Sequence, residues 1–169
     1  ENPADRDMLV RLASYAFASK PEDIRRFDYA DAGGWTVWET PLWKVTCDRA
    51  GKYNCFYSKT DGYMCRFGGT PSEDPEWCAL GPEIADIEIV SGKCPKINGK
   101  NCAFCYKGNG GDSADCMTLS QFRELVDFMP RNLSQIAFGI TGYRTNPDFQ
   151  RMIEYAESRG ISCNYTTTG

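Results

Sequence analysis

The sharpest hydrophobic pattern begins at residue 84. Ile84-Ala85-Asp86-Ile87-Glu88-Ile89-Val90-Ser91 alternates so that Ile87 and Ile89 share a face, which predicts a strand. Thr118 followed by Gln121 is a capping-box signature. Phe122, Leu125, Val126 and Met129 then recur at i, i+3, i+4 and i+7, the stripe of an amphipathic helix that Pro130 ends. Gln135 to Ile140 is largely apolar, as buried parallel strands are. Asn146 is placed to cap a second helix with Pro147 at its first position, Phe149, Met152, Ile153 and Ala156 as its apolar stripe and Gly160 as its left-handed stop. Ile161 to Thr167 predicts a third strand. The order strand, long loop, helix, strand, helix, strand implies parallel strands with right-handed crossovers, as in a barrel or a doubly wound sheet.

Upstream the pattern is weaker. Met8 to Ser19 brings Leu9, Leu12, Ala13 and Phe17 near one helical face, and Thr36 to Thr40 alternates as an edge strand would. Gly33-Gly34, Asp61-Gly62 and Gly68-Gly69 punctuate the rest as turns. Residues 1–83 therefore read as an irregular α+β extension of short strands and loops with one helix, and residues 84–169 as the α/β part.

Composition narrows the chemistry. The 169 residues are 41% apolar and 13% aromatic, enough for a core, and the net charge of −4 offers no basic face, so nucleic-acid binding is not indicated. The chain has no histidine, which removes Ser-His-Asp and Cys-His catalysis and His-ligated zinc or haem. It has nine cysteines, an odd number that cannot all pair within one chain. The first residues lack a basic segment followed by an apolar run, and no uncharged apolar stretch approaches the roughly 18–20 residues of a membrane span. A reducing, cytoplasmic setting without a membrane follows as the expectation, and there clustered cysteines serve metals or redox work.

Cys94, Cys102 and Cys105 give C-x7-C-x2-C directly after a predicted strand, where parallel α/β folds build their sites. Three thiolates without histidine suit an iron–sulfur cluster, in which a fourth iron stays open to a reactant. Two plainer readings stand beside it. Cys116, eleven positions beyond Cys105, would complete a four-thiolate zinc site in a small binding module, or the thiols are simply reduced and unliganded. Cys47, Cys55, Cys65 and Cys78 lack a C-x2-C knuckle and read as buried thiols. Trp35, Trp38 and Trp43 read as core positions of the extension, and Lys93, Lys96, Lys100 and Lys107 as solvated loop charges.

Cys102-Ala103-Phe104-Cys105-Tyr106, after a strand and before a helix, resembles the cluster loop of radical S-adenosylmethionine enzymes, whose usual motif is C-x3-C-x-aromatic-C. The first gap here is seven residues instead of three, and Asn98-Gly99 can turn the extra residues outward. Residues 135–149 resemble the family's second strand and following loop, with Asn146-Pro147-Asp148-Phe149 matching well. Ile140-Thr141-Gly142-Tyr143 takes the place of Gly-Gly-Glu-Pro and lacks its Glu and Pro. Residues 164–169 resemble the third strand. Asp61 to Gly68 and Gly81 to Glu88 look like a phage and bacterial branch of that family with an N-terminal extension.

The resemblance implies the first part of a partial (β/α)6 barrel with a [4Fe-4S] cluster on Cys94, Cys102 and Cys105. It implies S-adenosylmethionine against Phe104, Tyr106, Gly139, Ile140, Thr141 and Gly142, cleaved to a 5′-deoxyadenosyl radical that abstracts hydrogen from an unidentified substrate. It also implies a flavodoxin- or ferredoxin-like electron donor. At about 30 residues per strand–helix unit, residues 84–169 amount to half of such a barrel. The chain is thus expected to be a piece of a longer enzyme, inactive alone, with an open edge at 161–167.

Overall fold

Between Arg25–Tyr29 (β1) and Trp35–Glu39 (β2), Gly33 and Gly34 both take positive φ, at 91° and 82°, which lets the chain reverse tightly. Gly62, at φ 75°, does the same between Asn54–Ser58 (β4) and Met64–Phe67 (β5), with Trp43–Asp48 (β3) before them. These reversals produce a five-stranded antiparallel meander in the order β1-β2-β3-β4-β5. The computed structural model describes residues 20–70, 73–94, 102–105 and 107–166. They fall into two units, Glu1–Pro82 and Glu83–Gly169. The helix expected over 8–19 lies outside the described residues.

The meander buries both faces. Trp35, Tyr53, Cys55 and Cys78 form one apolar cluster, with Tyr29, Met64 and Leu80 against it. Trp38, Val45 and Cys47 form another, with Ile24 and Phe56. Successive strand residues point to opposite faces, so Trp35 and Trp38 belong to different ones. β2 is an inner strand between β1 and β3, not the edge strand that its weak alternation predicted. Glu39, fully buried, stands opposite Arg25 in the β1–β2 register. Arg25 Nη2 lies 2.7 Å and Lys59 Nζ 2.9 Å from its Oε1.

In the second unit, Ile84–Glu88 (β6), Gln135–Gly139 (β9) and Ser162–Tyr165 (β10) are parallel and lie in the order β10-β9-β6. Leu119–Phe128 (α1) and Phe149–Ser158 (α2) supply the crossovers and are the two α-helices among the described residues. Ile87, Phe122, Val126, Ile136, Phe138, Met152 and Ala156 meet in one core. Phe138 packs 5.5 Å from Phe122 and 5.4 Å from Phe149, centroid to centroid. Thr118 and Gln121 make the reciprocal capping box at the start of α1.

The expected fold class is overturned. The chain is not the start of a (β/α)6 barrel of parallel strands behind an irregular extension. Its largest sheet is antiparallel, and three parallel strands form an open sheet, not a closing barrel wall. Two local departures explain the second unit. The strand expected over 84–91 breaks at Ile89, whose N–H donates to Gly139 O at 2.9 Å while its carbonyl accepts from Met117 N at 3.0 Å. The chain then leaves the sheet, and Val90–Lys93 (β7) pairs antiparallel with Gly110–Cys116 (β8), so the expected loop over 92–115 begins and ends in a ribbon. Gly92 permits this at φ 87°, because a Cβ there would stand 2.6 Å from Ser113 O.

Asn146 does not cap α2 as expected. Its Oδ1 accepts from Asp148 N at 2.8 Å, and its amide donates to Ile89 O and Met117 O at 3.0 and 2.9 Å. Asp148 stands at the N-cap of α2 without a side-chain cap bond, and its Oδ2 accepts instead from Leu119 N, at the start of α1. This polar knot fixes the loop after β9 against the ends of the other elements. Among the described residues no helix is long and apolar enough to cross a membrane.

Candidate functional site

β6 and β9 run parallel and finish side by side, with Glu88 opposite Gly139. A Cβ on Gly139 would lie 2.9 Å from Lys107 Nζ and 3.0 Å from Glu88 Cα, so both residues close over this strand end. Lys107 Nζ pairs with Glu88 Oε1 at 3.0 Å. The segment just after Cys105 is thereby fastened to the carboxyl ends of two strands. Lys107 is thus no solvated loop charge, while Lys93 is exposed and Lys96 and Lys100 lie outside the described residues.

Cys94 directly follows β7 and is half-buried. Its Sγ donates to Thr141 O at 3.4 Å, joining positions 47 residues apart. The Thr141 hydroxyl is itself buried and has no hydrogen-bond partner among the described residues. Cys102 and Cys105 close a turn, with Cys105 N–H donating to Cys102 O at 3.1 Å. Cys102 is half-buried and Cys105 exposed. The backbone N–H groups of Asn109, then Lys107 and Gly108, face the Cys105 sulfur and hold its pKa below the usual thiol value, with the Lys107 charge helping. Gly108, at φ 60°, makes that bend.

The residues expected to meet a nucleoside cofactor are partly gathered. Gly139, Ile140, Thr141 and Gly142 follow one another at the end of β9 beside Cys94 and Lys107. Phe104 is 89% exposed, and Tyr106 lies outside the described residues. Cys116 ends β8, and its Sγ donates to Thr145 O at 3.5 Å. Beside it an open groove of about 440 Å³ runs past Glu88, Ser91, Asp115 and Gln121.

Among the described residues no three Cys, Asp or Glu side chains stand close enough to grip a single metal ion. A tetrahedral zinc would need its sulfurs about 3.8 Å apart, from Zn–S bonds of about 2.3 Å. A cubane cluster puts each thiolate on a separate iron and so spreads them wider. An all-thiol donor set without histidine, with the Cys105 pKa drawn below the usual thiol value, fits such a cluster by its chemistry.

The other thiols lie in different surroundings. Burial, then the neighbouring Cys78, pushes Cys55 up to about 12. Burial likewise raises Cys163, to about 12. Among the described residues no disulfide joins two cysteines.

Sequence reasoning missed the Glu88–Lys107 pair and the Cys94–Thr141 contact. Lys107 carried a weak signal, since its spacing from Cys105 puts it at the same strand ends. Comparison with family models, curated proteins and solved structures finds no match for this chain.

Proposed function

We propose that Cys94, Cys102 and Cys105 hold a [4Fe-4S] cluster that binds S-adenosylmethionine in a cytoplasmic radical enzyme. When bound, that pair supplies one-electron cleavage of the cofactor and hydrogen abstraction from a substrate. One observation carries the reading. Two separate cysteine segments are tied to the carboxyl ends of parallel strands, Cys94 through Thr141 O at 3.4 Å and the Cys102–Cys105 turn through Lys107 and Glu88 at 3.0 Å.

The protein's own part is placement. The backbone amides around Cys105 favour its thiolate as a ligand. Gly139, Ile140, Thr141 and Gly142 form the backbone that a cofactor's methionyl end would approach, with Lys107 Nζ and Glu88 standing over Gly139. Phe104, exposed on the turn, is available to lie over an adenine, with Tyr106 beside it in sequence. Lys107 adds a positive charge near the site, suited to a carboxylate. A flavodoxin- or ferredoxin-like donor would supply the electron.

The test is anaerobic reconstitution of the full chain with iron and sulfide. Brown protein with broad visible absorption, equal iron and sulfide, and an EPR signal altered by S-adenosylmethionine is the expected result. Colourless protein holding one zinc through Cys94, Cys102, Cys105 and Cys116 would replace this reading with a zinc-stabilised binding module. An unchanged cluster in Cys102→Ala would remove the ligand assignment.

A further inference from the structure

We infer that, in the metal-free chain, Cys102 and Cys105 form a reversible dithiol–disulfide couple, and that its oxidised form withholds two of the proposed cluster ligands. The second clause rests on the cluster reading; the first does not.

The geometry begins with the turn. Cys105 N–H donates to Cys102 O at 3.1 Å. A β-turn of this kind brings residues i and i+3 within about 7 Å, Cα to Cα. Disulfides span about 4.4–6.8 Å between Cα atoms. The bridge therefore needs little backbone movement. Cys105 is exposed and Cys102 half-buried, so a small disulfide can reach the first and the second can then displace it.

The other cysteines are held elsewhere. Cys94 Sγ is engaged with Thr141 O and Cys116 Sγ with Thr145 O. Cys47, Cys55 and Cys78 are buried in the first unit, and Cys65 and Cys163 lie half-buried in β5 and β10. A disulfide on such an exposed turn is open to thiol exchange, and is labile, not structural.

Glutathione disulfide is the oxidant. The Cys105 thiolate attacks one sulfur of it, forming a mixed disulfide and releasing one glutathione thiolate. Cys102 then gives up its proton, and its sulfur attacks Cys105 Sγ, releasing the second glutathione. Two protein thiols are oxidised and one glutathione disulfide becomes two glutathione thiols.

The experiment incubates the full, metal-free chain in graded glutathione buffers, blocks remaining thiols with iodoacetamide and maps the peptides by mass. The expected result is one bridge between Cys102 and Cys105, reversed by excess reduced glutathione, with Cys102→Ser accumulating glutathione on Cys105. Persistent glutathione on Cys105 in the unaltered chain, or a bridge from Cys105 to Cys94 or Cys116, overturns the couple. The oxidised chain should then take up at least tenfold less iron than the reduced one under anaerobic reconstitution. Equal uptake overturns the withholding. A bridge that forms while neither state assembles a cluster removes the cluster reading and leaves the couple standing. A cluster that assembles where no bridge forms does the reverse.

Discussion

Cys55 and Cys105 carry the same side chain in opposite surroundings. Cys55 lies inside the antiparallel meander between Trp35 and Cys78, and burial drives its pKa up to about 12. Cys105 lies on an open turn, where backbone amides draw its pKa below the ordinary thiol value. Cysteine count alone therefore assigns no chemistry; the environment does, through desolvation in one unit and backbone dipoles in the other. The two units also differ in how they are built. The meander buries both faces and a charged carboxylate, whereas the second unit packs two helices on a short parallel sheet, with Cys163 inside β10 and Cys94, Cys102 and Cys105 outside the strands.

The largest effect comes from separating the units. Phe122 is fully buried at the centre of the second core, against Phe138. Phe122→Ala should cost that unit about 3–5 kcal/mol, the loss of a packed ring plus the cavity left behind. The four tryptophans, at 35, 38, 43 and 77, all lie in the first unit, so their fluorescence reports the meander, while the two α-helices among the described residues lie in the second and contribute its helical circular dichroism. In urea the helical signal should be lost earlier in the variant and the fluorescence transition should stay put. A joint shift of both would mean that the units unfold as one.

Alkaline pH sharpens the thiol contrast. The Cys55 thiol ionises at 9.0 in the reference state and at about 12 when folded. Below pH 9 both states keep the proton and pH has no effect through this group. Between about 9 and about 12 the unfolded chain loses the proton first, so stability falls as pH rises. The full drop is on the order of 4 kcal/mol for a shift of about three units. Urea midpoints by tryptophan fluorescence at pH 8 and pH 11 should differ less in Cys55→Ala than in the parent. An equal pH dependence in both would deny the burial argument. Cys105 shifts the opposite way and should alkylate with iodoacetamide ahead of every thiol in the meander at pH 8.

Within the meander, Glu39→Gln removes the negative charge that Arg25 and Lys59 share. Lys59, whose side chain is only 15% exposed, then keeps its bond to Thr40 O at 2.8 Å but loses the carboxylate that balances its charge. A loss of about 2–3 kcal/mol is expected from charged hydrogen bonds of this kind. Fluorescence-monitored urea unfolding measures it, and a change within 0.5 kcal/mol (the usual scatter of surface substitutions) would mark the pair as unimportant.

Some of this was legible in the residues and some was not. The helix after Thr118 announced itself because cap, stripe and stop agree, and the apolar run at 135–140 marked β9. The meander hid because both faces are buried. In β3, Lys44, Val45, Thr46 and Cys47 are all inaccessible, so the period-two contrast that identifies a half-buried strand is absent. β8 hid for another reason. Gly110-Gly111-Asp112-Ser113 has poor strand propensity and owes its form to pairing with β7. At the candidate site, the cysteines and the glycine at the end of β9 could be read in sequence. Their fastening could not, since Cys94 and Thr141 meet only through the fold.

The smallest effect tests what was most legible. The Thr118 hydroxyl accepts from Gln121 N at 3.3 Å, and Gln121 Oε1 accepts from Thr118 N at 2.9 Å. Thr118→Ala removes the first bond, together with the one the hydroxyl donates to Gln121 Oε1 at 3.0 Å, and leaves the second, because the backbone N–H of residue 118 survives. The expected loss is about 1 kcal/mol, typical of an N-cap replaced by alanine. Asp148 Oδ2, which accepts from Leu119 N at 3.1 Å, still serves another of the helix's open N–H groups. Thr118→Ser should therefore restore most of the loss, and Thr118→Ala combined with Asp148→Ala should exceed the single change. Urea unfolding followed by helical circular dichroism measures all three. If alanine at 118 cost nothing, the start of α1 would be set by Asp148, a residue 29 positions away, and not by the local signal that made this helix readable.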